Sequence, residues 1–227
     1  MAKYEEPGKA KRNHLTHQDS LEEESMLPVD RKKVLDPNVP AVLLDIKGLV
    51  TRSYHSGTDP HPIRDEETGA RCNSASHGAA NFLDRILLPI LRDYAPINIV
   101  AVADGGNDLR RAVFPTYKMK RADKKVEVPK AQQKQLDLLL EQVNRLLIFL
   151  RATVVKVPNR EADDVIAGRV RAMGDRPKTV YSVDMDLVQL IDEEKNTSMV
   201  RFDEPCFTYI HKYERQGVKD YIEVEPR

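Results

Sequence analysis

Cysteine is scarce in this sequence, and neither a net charge nor a long apolar run is present. The two cysteines, Cys72 and Cys206, lie far apart in no metal-type spacing, so we expect free thiols in a reducing compartment. No run reaches the roughly 18 apolar residues that a membrane span requires, and the polar N-terminus lacks the apolar core of a signal peptide. The sequence therefore predicts a soluble cytoplasmic protein without a membrane partner.

The 227 residues carry a formal net charge of zero and are 41% hydrophobic, which is enough to bury one core. A neutral chain is not expected to coat nucleic acid through its whole surface. Residues 1–38 mix charges and prolines with almost no periodic apolar pattern. They predict a flexible polar extension ahead of one folded domain over residues 39–227.

Short apolar runs alternate with helical patterns after residue 39. Four runs predict strands, at 42–45, 97–103, 153–157 and 179–183. Four patterns predict helices, at 76–94, 129–150, 162–173 and 187–191. This alternation favours a doubly wound α/β fold, with a mostly parallel sheet flanked by helices.

Acidic residues follow the predicted strands at four places. Because the carboxyl ends of parallel strands line one edge of a sheet, these side chains are expected to meet in one crevice. Gathered carboxylates repel one another unless cations lie between them, and oxygen-only ligation favours Mg²⁺ or Mn²⁺. A phosphate ester suits such a site, since two metals can clamp its transition state. The predicted metal-binding residues are Asp45, Asp104, Glu161, Asp163, Asp164, Asp184 and Asp186.

Each acidic motif has a simpler explanation when it is taken alone. Asp163 or Asp164 suits the first turn of the following helix, and Asp184 suits a helix N-cap. Capping does not explain Asp104 before a glycine pair and Asp45 before Ile-Lys-Gly at the same time. The coincidence of four strand-end acids therefore favours the metal site.

The stretch from Arg110 to Lys134 holds nine basic residues against two acidic ones. Such a run usually forms a solvated helix face. Here Phe114 and Tyr117 lie among the cations and offer ring faces for unstacked bases. The predicted nucleic-acid contacts are Arg110, Arg111, Tyr117, Lys118, Lys120, Arg121, Lys124 and Lys125.

Four ordered blocks of the sequence resemble the 5′-nuclease family, which includes the 5′→3′ exonuclease domain of bacterial DNA polymerase I and bacteriophage flap endonucleases. The blocks are LLDIKGLVTRSYH, VADGGNDLRRAVFPTYKMKR, EADDVIA and SVDMDLVQLI, and the resemblance covers about residues 41–227. The positions that match the first two blocks are Asp45, Arg52, His55, Asp104, Arg110, Pro115, Tyr117, Lys118 and Arg121.

The resemblance implies a PIN-like twisted sheet with a basic helical arch over 111–128, through which a 5′ end threads. It implies a Mg²⁺-dependent 5′→3′ exonuclease or flap endonuclease of a bacterial or phage-infected cell, which cuts DNA in replication, repair or phage genome processing. Two ions, Mg²⁺ or Mn²⁺, and DNA with a free 5′ end or flap are expected. Lys118, Arg121 and Arg52 would act at the attacked phosphate.

Two features depart from the family pattern. Ile46 stands where the family commonly has glycine after its first aspartate. The sequence also stops where the family enters a block with further metal-binding aspartates and a helical hairpin that grips duplex DNA. We expect this C-terminal block to be missing, so that the sequence is a fragment, activity is weakened, or a replication protein or separate chain supplies the rest.

Two other functions stay open from the sequence. Asp184-Met185-Asp186 superficially resembles the nucleophile motif of haloacid-dehalogenase-like phosphatases, although that motif normally lies on the first strand of its domain. The other alternative is a DNA-binding or assembly protein, derived from a nuclease, that recognises branched DNA without cutting it.

Overall fold

The computed structural model describes residues 39–94, 98–117, 128–203, 206–216 and 219–226. The predicted N-terminal extension lies outside these residues. Within them, one sheet contains β1 (Ala41–Asp45), β4 (Asn98–Ala103), β5 (Thr153–Lys156), β6 (Lys178–Ser182), β7 (Thr197–Asp203), β8 (Cys206–Gln216) and β9 (Lys219–Pro226). A separate two-stranded ribbon pairs β2 (Ile63–Arg64) with β3 (Arg71–Cys72).

The strands of the large sheet lie in the order β5-β4-β1-β6-β7-β8-β9. Five of them, β5 to β7 in this order, are parallel, and β8 and β9 add an antiparallel edge. The chain runs outward from β1 to β5 and then returns to the other side of β1 for β6. This reversal is the place where α/β sheets open a crevice beyond their strand ends.

The helices are α1 (Ile46–His55), α2 (Ala75–Phe82), α3 (Leu88–Tyr94), α4 (Asp108–Val113), α5 (Lys130–Phe149) and α6 (Ala162–Ala172). A π-helical segment, Leu83–Leu87, joins α2 to α3, and a 3₁₀ turn covers Met185–Leu190. The π segment lies just before Pro89, which has no N–H for the helix ladder and whose ring crowds the carbonyl four residues earlier. None of the helices in the described residues has the length and apolar character needed to cross a membrane.

The core lies mainly on one face of the sheet, where α1, α2, α3 and α5 contribute apolar side chains to a single cluster. Alternate strand residues, such as Val42 and Leu44 of β1, belong to this cluster, as do Leu49, Phe82 and Leu139. Leu43 is equally buried but lies outside it, and α6 contacts β1 and β4. Since successive strand residues point to opposite faces, α6 covers the other face.

The predicted fold class is confirmed, and all four predicted strands exist within a residue of their expected ends. The predicted helix at 187–191 is a 3₁₀ turn that begins earlier, at Met185. The strands β7 to β9 and the ribbon β2-β3 were not predicted. Residue 97 of the second predicted strand lies outside the described residues.

Candidate active site

Acidic side chains from three strand ends and one helix start line one cavity of about 500 Å³ at the reversal point of the sheet. Asp45 ends β1, Asp104 follows β4, and Asp184 follows β6. The remaining acids, Glu161 and Asp163, stand at the start of α6. The other lining residues are Lys47, Gly48, Thr51, Arg52, His55 and Val183. The structure thus brings together five of the seven predicted acids with Arg52 and His55, while Asp164 and Asp186 are not part of the lining.

Asp45 is held at the bottom of this cavity, with only 7% of its surface exposed. Burial raises the pKa of its carboxyl group, and the nearby charges of Asp104 and Asp184 act in the same direction against the hydrogen bond from Ser182. That bond runs from Ser182 Oγ to Asp45 Oδ2 over 2.7 Å. A Cβ on Gly48 would come within 2.9 Å of the same oxygen, so a glycine permits α1 to start this close to the carboxylate.

Asp104 is placed by the glycine that follows it. The Gly105 N–H donates to the Arg160 carbonyl over 2.9 Å, and the Gly105 carbonyl accepts from the Asn159 N–H over 2.8 Å. This pairing holds the end of β4 against the loop before α6, where Asp104 Oδ1 accepts from the Ala162 N–H over 2.9 Å. A Cβ on Gly105 would lie 1.8 Å from the Val157 carbonyl oxygen, so the contact requires glycine.

Asp163 experiences the concentrated charge most clearly. Burial raises its pKa to about 6, and the negative charges of Asp184, Asp45 and Glu161 add to the effect. A negatively charged neighbour disfavours ionisation of a carboxyl group, because two carboxylates repel each other. The carboxylates of the cavity would therefore stabilise a positive charge placed among them.

Asp184 combines the capping role and the cavity position that the sequence left as alternatives. It is the N-cap of the 3₁₀ turn, where its Oδ1 accepts from the Asp186 N–H over 2.9 Å. It also lines the cavity, whereas Asp186 does not. Capping and site formation are thus compatible at this residue.

Arg110, a predicted DNA contact, binds two acids at the start of α6 in the structure. Its Nη1 lies 2.6 Å from Glu161 Oε2, and its Nε and Nη2 bind the two oxygens of Asp164 at 3.0 and 2.6 Å. The Tyr117 hydroxyl donates to Glu161 over 2.8 Å and accepts from Arg110. The hydrogen bond with Asp164 is the main reason why the pKa of Arg110 rises further. This cluster ties the start of the basic stretch to the acidic cavity.

The rest of the predicted basic surface is only partly described. Arg111 lies exposed on α4. Five predicted contacts lie outside the described residues: Lys118, Lys120, Arg121, Lys124 and Lys125. DNA binding by all these side chains stays a prediction.

Lys47 is a site residue that the sequence argument missed. Its Nζ lies 3.1 Å from Asp104 Oδ2, and it lines the cavity. The signal was its position two residues after Asp45, in the first turn of a helix that starts from the strand end. Ser182 was missed as well, although it stands two residues before Asp184.

The residues present fit a hard divalent cation by their chemistry, since carboxylate oxygens dominate the donors of the cavity. Burial is the main cause of the raised pKa values of Asp45 and Asp163 and neighbouring carboxylates add to it, so a positive charge nearby would stabilise their ionised forms. Within the described part of the chain, no three acidic, histidine or cysteine side chains stand close enough to form a preassembled metal-binding group.

A mostly parallel sheet flanked by helices, with this acidic crevice at its reversal point, defines a PIN-like 5′-nuclease domain. The family model of the 5′-3′ exonuclease N-terminal resolvase-like domain matches residues 40–223, and the chain belongs to this family. The family membership gives the haloacid-dehalogenase alternative no support. No curated protein matches the chain at a significant level.

Solved structures of a bacteriophage T5 enzyme share the fold. A T5 5′-exonuclease with bound divalent metal ions (zinc) is 20% identical, with a TM-score of 0.54. The T5 D15 flap endonuclease in a complex with DNA and metal ions is also 20% identical, with a TM-score of 0.52. Each match covers 72% of this chain and 55% of the other, so the chain spans little more than half the length of the T5 enzyme.

Proposed function

We propose that this chain is a divalent-metal-dependent nuclease that hydrolyses DNA at or near a free 5′ end, as a 5′→3′ exonuclease or flap endonuclease. One observation carries the proposal: five carboxylates, from three strand ends and the start of α6, share one cavity with Arg52 and His55. Family membership supports it, as do the T5 structures described as exonuclease and flap endonuclease with metal ions and DNA.

Acids among the five that line the cavity would hold Mg²⁺ or Mn²⁺. When bound, such an ion supplies Lewis acidity toward a phosphate ester. The chain's own residues do the positioning: Ser182 holds Asp45, and the Gly105 pairing holds Asp104. Arg52, which lines the cavity from α1, would bind a phosphate oxygen.

The basic stretch is the proposed DNA contact. Lys118 and Arg121 would bind the attacked phosphate, and the surrounding cations would bind the backbone of the 5′ strand. Replication, repair or phage genome processing are the processes that produce such substrates. A separate chain that grips the duplex, or a replication protein, is the proposed partner.

The test is cleavage of a 5′-labelled DNA flap with Mg²⁺, with and without a chelator. Asp104→Ala and Asp184→Ala are each expected to lower the rate by roughly 100-fold or more, because each removes a charge that the reaction needs. Asp192→Ala is the matched control, since Asp192 pairs with Lys195 away from the cavity lining. Unchanged cleavage in both cavity variants would refute the proposal.

A second candidate is a protein that binds branched DNA without cutting it. Lys47 and Arg110 already pair with two of the cavity acids, Asp104 and Glu161, and this internal neutralisation favours it. A flap that is bound by the full chain and stays intact with Mn²⁺ present would select this candidate over the nuclease.

A further inference from the structure

Two of the five carboxylates that line the cavity have a cation of the chain beside them. Lys47 Nζ lies 3.1 Å from Asp104 Oδ2, and Arg110 Nη1 lies 2.6 Å from Glu161 Oε2. Among the described residues, three cavity carboxylates take part in no ion pair: Asp45, Asp163 and Asp184. The acids of the cavity thus divide into a neutralised pair and an unneutralised group of three.

The fold places Lys47 at this position. β1 and β4 are adjacent and parallel, with Asp45 opposite Val102, so the first turn of α1 stands beside the end of β4. Lys47 reaches from that turn to Asp104 on the neighbouring strand end. Its side chain is 71% exposed, so solvent reaches the Lys47 side chain that pairs with Asp104.

The two internal cations differ in how firmly they are held. Arg110 binds Asp164 through two nitrogens and Glu161 through a third contact, with Tyr117 bridging the cluster. This fork geometry keeps a guanidinium fixed, whereas the Lys47 ammonium is a compact point charge on a flexible stem. Lys47 can therefore be replaced, which changes the charge of the cavity, without removing the contacts that Arg110 makes.

We infer that Lys47 takes the place of one of two divalent ions, so that the chain binds a single ion among Asp45, Asp163 and Asp184. The three carboxylates carry three negative charges and Arg52, which lines the same cavity, carries one positive charge, so one divalent ion neutralises this group and two ions would exceed its charge. A second ion at Asp104 has to displace or lie against the Lys47 ammonium, and like charges at such distances repel. The inference rests on the proposed function, because it gives the ion stoichiometry of that site.

The experiment counts bound Mn²⁺ on the full 227-residue chain by titration, using the electron paramagnetic resonance signal of free Mn²⁺. Wild type is expected to bind one ion. Lys47→Met is expected to bind two, and Lys47→Arg, which retains the charge, to bind one. Adding Asp104→Asn to Lys47→Met should return the count to one, because it removes the carboxylate that the second ion uses.

Lys195→Met is the matched control, since Lys195 also pairs with an aspartate, Asp192, at 2.9 Å but away from the cavity lining. It should leave the count at one. Two ions on wild type, or one ion on Lys47→Met, would overturn the role of Lys47 and leave the proposed nuclease function intact. Wild type that binds no Mn²⁺ would overturn the metal site itself, and the inference with it.

Discussion

The hydroxyl group of Ser182 donates a 2.7 Å hydrogen bond to Oδ2 of Asp45 across the ends of two neighbouring strands, β6 and β1. Ser182 is completely buried, and Asp45 is nearly so. The same hydroxyl accepts from the Asp184 N–H over 3.0 Å. One small side chain therefore sets the position of two cavity acids that lie far apart in the sequence.

Replacing Ser182 with alanine is expected to destabilise the fold by about 1.5–3 kcal/mol, because a hydrogen bond to a buried charged group is lost. The measurement is urea unfolding in the presence of a chelator. Ser198→Ala is the control, since the Ser198 hydroxyl shares a 3.1 Å hydrogen bond with the Thr179 hydroxyl. The loss of a hydrogen bond between two neutral groups costs only about 0.5–1.5 kcal/mol. Equal losses in the two variants would contradict the special role of Ser182.

Gly105→Ala is expected to destabilise the protein by about 1–3 kcal/mol or more and to lower nuclease activity, because the new Cβ forces the end of β4 away from the loop before α6. The clash is with the Val157 carbonyl oxygen, 1.8 Å from the Cβ position. The measurements are thermal unfolding and flap cleavage.

Gly168→Ala serves as the matched control for this prediction. Gly168 lies within α6, and a Cβ there meets nothing within 4 Å. The substitution should stabilise the protein by roughly 0.5–1 kcal/mol, since alanine loses less backbone entropy in a helix. A Gly105→Ala variant as stable as wild type would show that the loop adapts and that the glycine is not required.

Asp163→Asn is expected to stabilise the metal-free protein near neutral pH while it reduces activity. The pKa of Asp163 rises from its ordinary 3.8 to about 6, chiefly through burial, so the folded state binds more protons than the unfolded state between these values. Its ionisation therefore costs stability as pH rises through this window, and the cost persists above it. Asparagine removes this cost.

The check is urea unfolding with a chelator over a range of pH. The stability gained by Asp163→Asn should be largest above about 6 and should vanish below 3.8. Asp192→Asn has the opposite sign, because the hydrogen bond from Lys195 lowers the pKa of Asp192 and its charge stabilises the fold. A gain for Asp163→Asn that does not depend on pH would mean that the cost of ionising the buried carboxyl group is not the cause.

The strand ends and their acids could be predicted because both signals are local. A buried strand such as β1 is a continuous apolar run, and the acid stands at its end. The strands β7 to β9 were missed because they mix charged and apolar residues, as in CFTYIHKYERQ, and contain no continuous apolar run. The π segment before Pro89 was missed because one widened turn is too short to change the apolar pattern of the helical stretch around it.

The partners of the acids could not be predicted from sequence. Arg110 stands 54 positions before Asp164, and Ser182 stands 137 positions after Asp45. Only the sheet order brings these pairs together, and a basic stretch predicts a DNA surface as readily as an internal ion pair. The residues that compensate the charge of the cavity therefore required the three-dimensional structure.

Arg110→Ala is expected to destabilise the protein and to lower cleavage, because it leaves Glu161 and Asp164 without their shared cation. A fully buried pair costs about 3–5 kcal/mol to break, and the partial exposure of Arg110 reduces this to about 1–3 kcal/mol. Arg110→Lys should restore little, since one ammonium cannot reproduce the fork on two carboxylates.

Arg111→Ala, on the exposed side of α4, should change stability by less than about 0.5 kcal/mol. The measurement is urea unfolding of the three variants with a chelator. If Arg110→Ala and Arg111→Ala lose equally little stability but both weaken flap binding, Arg110 acts on DNA and not on the cavity acids.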